Sequence, residues 1–268
     1  MSASDSPHGA ESIAHHQPSL LEGKVAIITG ASRGIGAAAA HAFARAGAAV
    51  VLAARSERAL AAIRDEIIAA GGFALAVPTD VVEPAAVERL VTIAVDAFGH
   101  LDAAFNNAGD GHMPTPLADL SIEEFDRATR DTLRGVFLSM KYEIRAMLES
   151  GGGAIVNMSS TAGLNGVRGM AGYVAAKHGV VGLTKSAALD YAPARIRVNA
   201  PAPGPILTER LRSLSDEARA PVERAVPLGR AGTPDEVAAA AVWLCSDYAA
   251  FITGATLPVD GGKLAGGA

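Results

Sequence analysis

The sequence predicts an α/β fold with a doubly wound, seven-stranded parallel sheet and helices on both faces. Short apolar runs recur along the chain, and each is followed by a longer stretch of helical character. The connections are only a few residues long, which favours right-handed βαβ units. No linker or internal repeat divides this pattern. We therefore expect one catalytic domain over residues 21–268, preceded by a disordered polar tail over residues 1–20.

The elements can be placed in order from these runs. The first strand is expected at residues 24–28, because five apolar residues suit a strand buried on both faces. The later strands are expected at residues 48–54, 73–77, 101–106, 154–158, 196–200 and 255–259. The helices are expected at residues 37–46, 57–71, 84–98, 122–150 and 173–191, with a last one that starts at Pro234. A bend is expected at Pro201, Pro203 and Pro205, and the Arg-rich residues 207–230 are expected to form a mobile substrate lid.

The composition excludes several classes of function. The chain is 50% hydrophobic but only 4% aromatic, so Ala, Val, Leu and Ile must build the core. A net charge of −5 argues against nucleic acid as a partner. No apolar run reaches 18 residues, and the N-terminus lacks the pattern of a secretory signal, so we expect no membrane anchor. The single cysteine, Cys245, indicates a reducing, cytoplasmic location, and no histidine shows metal-ligand spacing.

A glycine-rich turn joins the first strand to the first helix in the stretch KVAIITGASRGIG, residues 24–36. Gly30 lets the chain turn sharply, Gly34 lets the backbone approach a pyrophosphate, and Gly36 lets the helix lie close to the sheet. This arrangement places a helix N-terminus against a phosphate. An ordinary strand–helix turn is the alternative in a chain with 29 glycines.

Residues with functional potential follow each of the first five predicted strands. In parallel sheets of this kind, ligands bind beyond the carboxyl ends of the strands. The residues found there are Gly30, Arg55, Asp80, Asn107 and Ser160. Their coincidence at one edge indicates a site more strongly than any single motif does.

Tyr173 and Lys177 are four residues apart on a predicted helix, so both point to one face. A tyrosine is a poor acid–base group at neutral pH because its unperturbed pKa is about 10. A lysine cation one turn away would lower that pKa, as proton transfer to a carbonyl or from an alcohol requires. The alternative is a packed tyrosine beside a solvated lysine.

Three features together resemble the short-chain dehydrogenase/reductase family, whose fold is Rossmann-like. They are the TGxxxGxG turn, the Tyr-x-x-x-Lys pair and a serine, Ser160, thirteen residues before Tyr173; the resemblance covers residues 24 to about 262. It implies that Tyr173 is the general acid/base and that Ser160 positions the carbonyl oxygen. It also implies that Lys177 tunes Tyr173 and holds the nicotinamide ribose. The adjacent Ser159 is the rival of Ser160.

The resemblance also implies a set of cofactor-binding residues. Asp80 and Val81 look like the pair that contacts the adenine, although Asp80 could instead cap its own loop. Asn107 resembles the residue that lines the cofactor and braces the sheet, and the segment that begins at Pro203 resembles the one that cups the nicotinamide. The whole implied set is Gly30, Ser32, Arg33, Gly34, Ile35, Gly36, Arg55, Asp80, Val81, Asn107, Tyr173, Lys177, Pro203, Gly204, Ile206 and Thr208.

The residues after the second strand favour NADP(H) as the cofactor. Sites that prefer NAD usually carry an acid there, bonded to the ribose 2′-hydroxyl. This chain has Ala54 and then Arg55, with Arg33 in the glycine turn. Two guanidinium groups can bind a 2′-phosphate. If both arginines are merely solvated, NAD(H) is the cofactor.

One position departs from the family. Many members have an asparagine in the long helix whose backbone carbonyl holds a water linked to the lysine, and Thr132 stands there in this chain. Any residue offers a carbonyl, but a role for the asparagine side chain would be lost. In the loop after the fourth strand, His112 could reach the substrate.

The predicted reaction is hydride transfer between the nicotinamide and a ketone or secondary alcohol, and the sequence does not select the substrate. An NAD-dependent alcohol or sugar dehydrogenase is one alternative, and a catalytically silent nucleotide-binding scaffold is another. The last strand resembles the tail that pairs subunits in related enzymes, which indicates a homodimer or homotetramer.

Overall fold

The computed structural model describes residues 19–266, so the predicted tail lies almost entirely outside the described residues. The strands are β1 (Val25–Thr29), β2 (Ala49–Ala54), β3 (Ala74–Pro78), β4 (Ala103–Asn106), β5 (Gly153–Asn157), β6 (Ile196–Pro203) and β7 (Thr256–Val259). The α-helices are α1 (Gly34–Arg45), α2 (Glu57–Ala69), α3 (Pro84–Phe98), α4 (Ile122–Thr129), α5 (Gly135–Ser150), α6 (Ala171–Tyr191), α7 (Glu209–Arg212), α8 (Asp216–Arg224) and α9 (Pro234–Cys245).

The seven strands form one sheet in the order β3-β2-β1-β4-β5-β6-β7, and every neighbouring pair is parallel. The predicted fold class is thus confirmed. All five residues of β1 are buried, as its apolar run predicts. The direction of winding reverses between β1 and β4, which is where such sheets bind ligands.

Helices cover both faces of the sheet and create two separate apolar clusters. One cluster packs α1, α2 and α9 against the sheet and includes Phe43 and Phe105, whose rings stack at 6.2 Å. The other packs α3, α5 and α6 against the opposite face. Small residues such as Ala39 and Ala40 let these helices approach the strands closely, in line with the low aromatic content.

The predicted helix over residues 122–150 has the expected ends, but it is not regular α-helix throughout. Residues Arg130–Arg134 form a turn of π-helix between α4 and α5, in which the Gly135 N–H group donates to the carbonyl oxygen of Arg130. Thr132 is buried at the centre of this turn, and its hydroxyl donates to the carbonyl oxygen of Asp110 at 3.0 Å. Single π turns inside helices are frequent at functional sites.

The proline-rich bend also starts later than predicted, because β6 continues to Pro203. A proline lacks a donor but keeps its carbonyl, and the Ser159 N–H group donates to the carbonyl oxygen of Pro201 at 2.9 Å. The chain bends at Pro205, the last of the three predicted prolines. A Cβ atom at Gly204 would lie 3.0 Å from Cα of Asp260, so a side chain there would require the backbone of Asp260 to shift.

Candidate active site

The glycine turn after β1 has a backbone conformation and a spacing that require glycine. Gly30 has a φ of +66°, in the left-handed region. A Cβ atom at Gly36 would lie 2.0 Å from the carbonyl oxygen of Gly30. The start of α1 therefore lies directly against the turn, as the glycine spacing predicts.

The N-terminus of α1 has free donors that face this turn. Its N-cap residue, Arg33, makes no capping bond through its side chain. The N–H groups of Gly34, Ile35 and Gly36 have no acceptor within their own helix. Such donors at a helix start bind phosphate oxygens. The turn therefore fits the pyrophosphate of a dinucleotide.

The segment after β6 lies over the same turn. A Cβ atom at Gly34 would lie 3.4 Å from Cγ2 of Thr208 and 3.6 Å from Oε2 of Glu209. Ser32, in the turn itself, and Ile206, ahead of Thr208, are partly buried. The structure thus brings the residues predicted to hold the pyrophosphate next to those predicted to cup the nicotinamide.

Asn107 connects β4 to the glycine turn. Its side-chain amide donates to the carbonyl oxygens of Thr29 at 3.2 Å and Gly30 at 3.3 Å. Its N–H group donates to the Thr29 hydroxyl at 3.0 Å. Asn107 therefore braces the two central strands at the switch point.

Tyr173, Lys177 and Ser160 meet beyond the carboxyl end of β5. Nζ of Lys177 lies 5.6 Å from the centroid of the Tyr173 ring. The lysine is buried, and its ammonium donates to the carbonyl oxygen of Met158 at 2.7 Å. The Ser160 side chain lowers the pKa of the Tyr173 phenol. The helical spacing and the position after β5 together produce this group.

The pKa of the phenol differs from the sequence expectation. Burial raises the pKa of Tyr173 above its ordinary value; Ser160 and the positive charge of Arg210 lower it, and Asp110 raises it. Burial also lowers the pKa of Lys177 to about 8. The expected lowering of the tyrosine pKa by the lysine is therefore not met, because the loss of solvent outweighs the neighbouring charges.

The two adjacent serines have different surroundings. Ser159 is buried, and its hydroxyl donates to the carbonyl oxygen of Lys177 at 3.4 Å. Ser160 is partly buried and accepts from the N–H group of Ala162 at 3.1 Å. Ser160, and not Ser159, lowers the pKa of the Tyr173 phenol, and this difference favours Ser160 over its rival.

The two arginines expected at the ribose are exposed. Arg33 begins α1, and Arg55 follows β2, next to β1 in the sheet. Among residues 19–266, neither guanidinium forms an ion pair with a carboxylate. Both are thus available to an anionic ligand.

Asp80 and Val81 follow β3. One carboxylate oxygen of Asp80 accepts from the N–H group of Val82 at 3.3 Å, so this residue does cap its own loop. Val81 packs against Val87 and Leu138 beneath α5. These contacts hold the loop in place. The contact of Asp80 and Val81 with an adenine stays a prediction.

His112 faces the protein interior. Its two ring nitrogens contact the carbonyl oxygen of Met113 and the backbone nitrogen of Gly172, and 3% of its surface is exposed. The ring therefore has no nitrogen left for a substrate, in contrast to the sequence expectation.

A buried polar network at the ends of β4 and β5 was missed from the sequence. The Asn106 amide donates to Oε2 of Glu143 at 2.8 Å and to Oδ1 of Asn157 at 3.1 Å, and Asn157 donates to Thr184 at 3.0 Å. Burial raises the pKa of Glu143 to about 8. A signal did exist, because Glu143 shares the apolar side of α5 with Met140 and other buried residues.

No helix among residues 19–266 is long and apolar enough to cross a membrane. The same part of the chain holds no group of three or more His, Cys, Asp or Glu side chains arranged for a metal ion. Cys245 is free and buried, and burial raises the pKa of its thiol to about 12.

Comparison with known proteins agrees with this geometry. A family profile described as enoyl-(acyl carrier protein) reductase matches residues 30–263. An A-factor type gamma-butyrolactone 1′-reductase (1S-forming) of Streptomyces virginiae is 47% identical, over 91% of this chain and 96% of the relative. The cyclohexanol dehydrogenase of Acinetobacter sp. (strain SE19) is 45% identical, over 89% of this chain and 94% of the relative.

Solved structures give the same result. The crystal structure of levodione reductase matches with a TM-score of 0.89 at 35% identity, over 92% of this chain and 100% of that one. The chain belongs to the short-chain dehydrogenase/reductase family. It is an oxidoreductase of the class that acts on alcohols and ketones with a nicotinamide cofactor.

Proposed function

We propose that this protein is an NADP(H)-dependent oxidoreductase that transfers a hydride between the nicotinamide and a ketone or secondary alcohol. The observation that carries the proposal is the meeting of Tyr173, Lys177 and Ser160 beyond β5, beside a glycine turn whose helix donors face a pyrophosphate site. One catalytic domain over residues 21–268 would hold both parts of the site.

In the proposed reduction, the bound cofactor supplies a hydride to the carbonyl carbon. The Ser160 hydroxyl donates a hydrogen bond to the carbonyl oxygen, and the Tyr173 phenol gives that oxygen its proton. Lys177 has three N–H donors, and Met158 takes one, so two are left for the cofactor ribose and the phenolate. In the reverse direction the same phenol receives the proton of the alcohol.

The preference for NADP(H) over NAD(H) is supported by the exposed guanidinium groups of Arg33 and Arg55, which form no ion pair with a carboxylate among residues 19–266. A 2′-phosphate between them would form charge-assisted hydrogen bonds. A ribose 2′-hydroxyl would instead call for an acid at the end of β2, where this chain has Ala54. The remaining contacts are those implied by the resemblance, including Asp80, Val81 and the residues around Thr208.

The names of the relatives support a cyclic substrate. They include cyclohexanol dehydrogenase, 2,5-dichloro-2,5-cyclohexadiene-1,4-diol dehydrogenase and cis-4-hydroxycyclohexanecarboxylate dehydrogenase. We propose that residues 207–230, with α7 and α8, form a lid that closes over a cyclic ketone or alcohol of similar size. We further propose that the protein is cytoplasmic and that it forms a homodimer or homotetramer. An oligomer is proposed because β7 is an edge strand.

The test is a panel of carbonyl compounds, each assayed with NADPH and with NADH. The panel contains cyclohexanone, a γ-butyrolactone with a ketone side chain, and a 3-oxoacyl thioester. The proposal predicts turnover of a cyclic ketone with kcat/KM at least roughly tenfold higher for NADPH, as one lost charged contact of ~1.4 kcal/mol implies. Equal or better turnover with NADH would replace the NADP(H) assignment by the NAD-dependent alternative.

A further inference from the structure

His112 makes two contacts that together define its hydrogen-bonding state. Nδ1 lies 2.8 Å from the carbonyl oxygen of Met113, and Nε2 lies 3.2 Å from the backbone nitrogen of Gly172. A carbonyl oxygen only accepts, and a backbone N–H group only donates. The pair of contacts therefore requires a proton on Nδ1 and a lone pair on Nε2.

The donor in the second contact belongs to the catalytic helix. Gly172 is the second residue of α6 and immediately precedes Tyr173. The N-cap residue, Met170, makes no capping bond through its side chain, so the first turn of α6 has donors without intrahelical acceptors. His112 supplies an acceptor from a different segment of the chain. It is an N-cap in function, although it lies 60 residues away in the sequence.

The packing around this contact is close. A Cβ atom at Gly172 would lie 3.3 Å from both Cδ2 and Nε2 of His112, so the imidazole lies directly against the first turn of the helix. A Cβ atom at Gly111 would lie 3.3 Å from Cδ2 of Tyr173. The loop that carries His112 therefore touches both the backbone of α6 and the edge of the phenol ring.

The loop is itself anchored by α4 and the π turn, which also pack against α6. The Arg127 side chain on α4 donates to the carbonyl oxygen of Gly111 at 3.2 Å. The Thr132 hydroxyl, in the π turn, donates to the carbonyl oxygen of Asp110 at 3.0 Å. Because these bonds hold the loop from α4 and the π turn, His112 can transmit a fixed position to the start of α6.

We infer that His112 is a positioning residue for Tyr173. His112 caps α6 from a different segment of the chain, and it thereby holds the phenol in position beside Ser160. This inference rests on the proposed role of Tyr173 as the general acid/base.

Two variants separate the two contacts of the ring. His112→Gln carries an acceptor at about the reach of Nε2 and does not titrate. His112→Asn can still donate to Met113 but is too short to reach Gly172. We expect His112→Gln to keep kcat within about threefold of the wild type. We expect His112→Asn to lower kcat by roughly tenfold or more with an unchanged KM for NADPH, since small misplacement of a catalytic group is costly.

A second measurement does not depend on turnover. The rate of amide hydrogen exchange at Gly172 is measured relative to that at Ala188 on the same helix. This relative rate should rise roughly tenfold in His112→Asn, as loss of a capping bond of ~1.4 kcal/mol implies. It should stay unchanged in His112→Gln. If the wild type reduces no carbonyl compound, the proposed function fails, yet the exchange data still test the cap. Equal exchange in all three proteins, or altered exchange with unaltered kcat, overturns the inference. Should His112→Asn fail to fold, His112→Ser, which also lacks an acceptor at the reach of Nε2, gives the same decision with the same two measurements.

Discussion

Lys177 on α6 and Glu143 on α5 are both buried ionisable side chains, but their surroundings differ. The lysine donates to a backbone carbonyl at 2.7 Å and lies 5.6 Å from the centre of the Tyr173 ring, at the edge where a cofactor would bind. The glutamic acid receives the Asn106 amide at 2.8 Å and has no cation beside it among the described residues. The surroundings of Lys177 therefore suit the catalytic role proposed above, whereas Glu143 connects the ends of β4 and β5 through Asn106 and Asn157.

The two regions are nevertheless connected through the backbone. The N–H group of Met158 donates to the carbonyl oxygen of Asn106 at 2.9 Å, and the carbonyl oxygen of Met158 accepts from Lys177. Asn106 in turn donates to Glu143. The network around Glu143 therefore helps to fix the position of Met158, whose carbonyl oxygen holds the Lys177 ammonium.

Burial gives the two groups opposite pH dependences. It raises the pKa of Glu143 from 4.5 to about 8, so its contribution to stability is fully present below pH 4.5 and is lost as the pH rises through 8. It lowers the pKa of Lys177 from 10.5 to about 8, so that contribution is present above pH 10.5 and is lost as the pH falls through 8. Variants of each residue can separate the two effects.

The largest effect is expected from Lys177→Met. Without the ammonium, kcat/KM for ketone reduction should fall roughly 100-fold or more, because general acid–base catalysis contributes about 10²–10⁴-fold. The free energy of unfolding of the variant, relative to that of the wild type, should increase as the pH falls from about 10 to 8, because the variant has no buried cation. Steady-state kinetics and urea unfolding measure the two effects. Lys185→Met, on an exposed side of the same helix, is the matched control and should change neither; a Lys177→Met enzyme with more than half the wild-type kcat would remove the lysine from the mechanism.

A smaller effect, on stability rather than rate, is expected from Glu143→Gln. The amide keeps an acceptor for Asn106 and cannot ionise. The free energy of unfolding of the Glu143→Gln variant, relative to that of the wild type, should therefore rise between pH 5 and pH 8, by at most about 1.4 kcal/mol per pH unit. Urea unfolding at four pH values checks this slope. Glu149→Gln, exposed on the same helix, should give a flat difference, and an equally flat difference for Glu143→Gln would mean that this carboxyl is ionised in the folded protein.

The smallest effect is expected from a substitution of Arg55, which is exposed, unlike Lys177 and Glu143. Arg55→Asp should raise the KM for NADPH about tenfold, because hydrogen bonds to charged groups contribute about 1.5–3 kcal/mol. The KM for NADH and the free energy of unfolding should change little. Arg58→Asp, exposed at the start of α2, controls for the added negative charge. An unchanged NADPH KM in Arg55→Asp would assign the 2′-phosphate to other residues.

The sequence predicted those parts of the protein that follow from local patterns. Buried strands such as β1 show as apolar runs, and a turn such as Gly30 to Gly36 has glycine at each position where a side chain would collide. The spacing of Tyr173 and Lys177 follows from helical geometry alone. All of these signals lie within a short stretch of chain.

The parts that were missed depend on contacts between distant segments. The π turn at Arg130–Arg134 is stabilised by a bond from Thr132 to a loop 22 residues away, and the cap of α6 by His112 spans 60 residues. The raised pKa of Tyr173 depends on how much solvent the assembled site removes. Single-sequence patterns do not encode such pairings, so these features required the structure.

In the proposed reaction the Tyr173 phenol transfers the proton, and a bound cofactor would transfer the hydride. Tyr173→Phe tests this role most directly, with single-turnover oxidation of NADPH measured alongside the Kd for NADPH. We expect the rate to fall roughly 100-fold or more and the Kd to stay within about twofold of the wild type, since only the reacting hydroxyl is removed. A Tyr173→Phe protein that still reduces its ketone at the wild-type rate would contradict it.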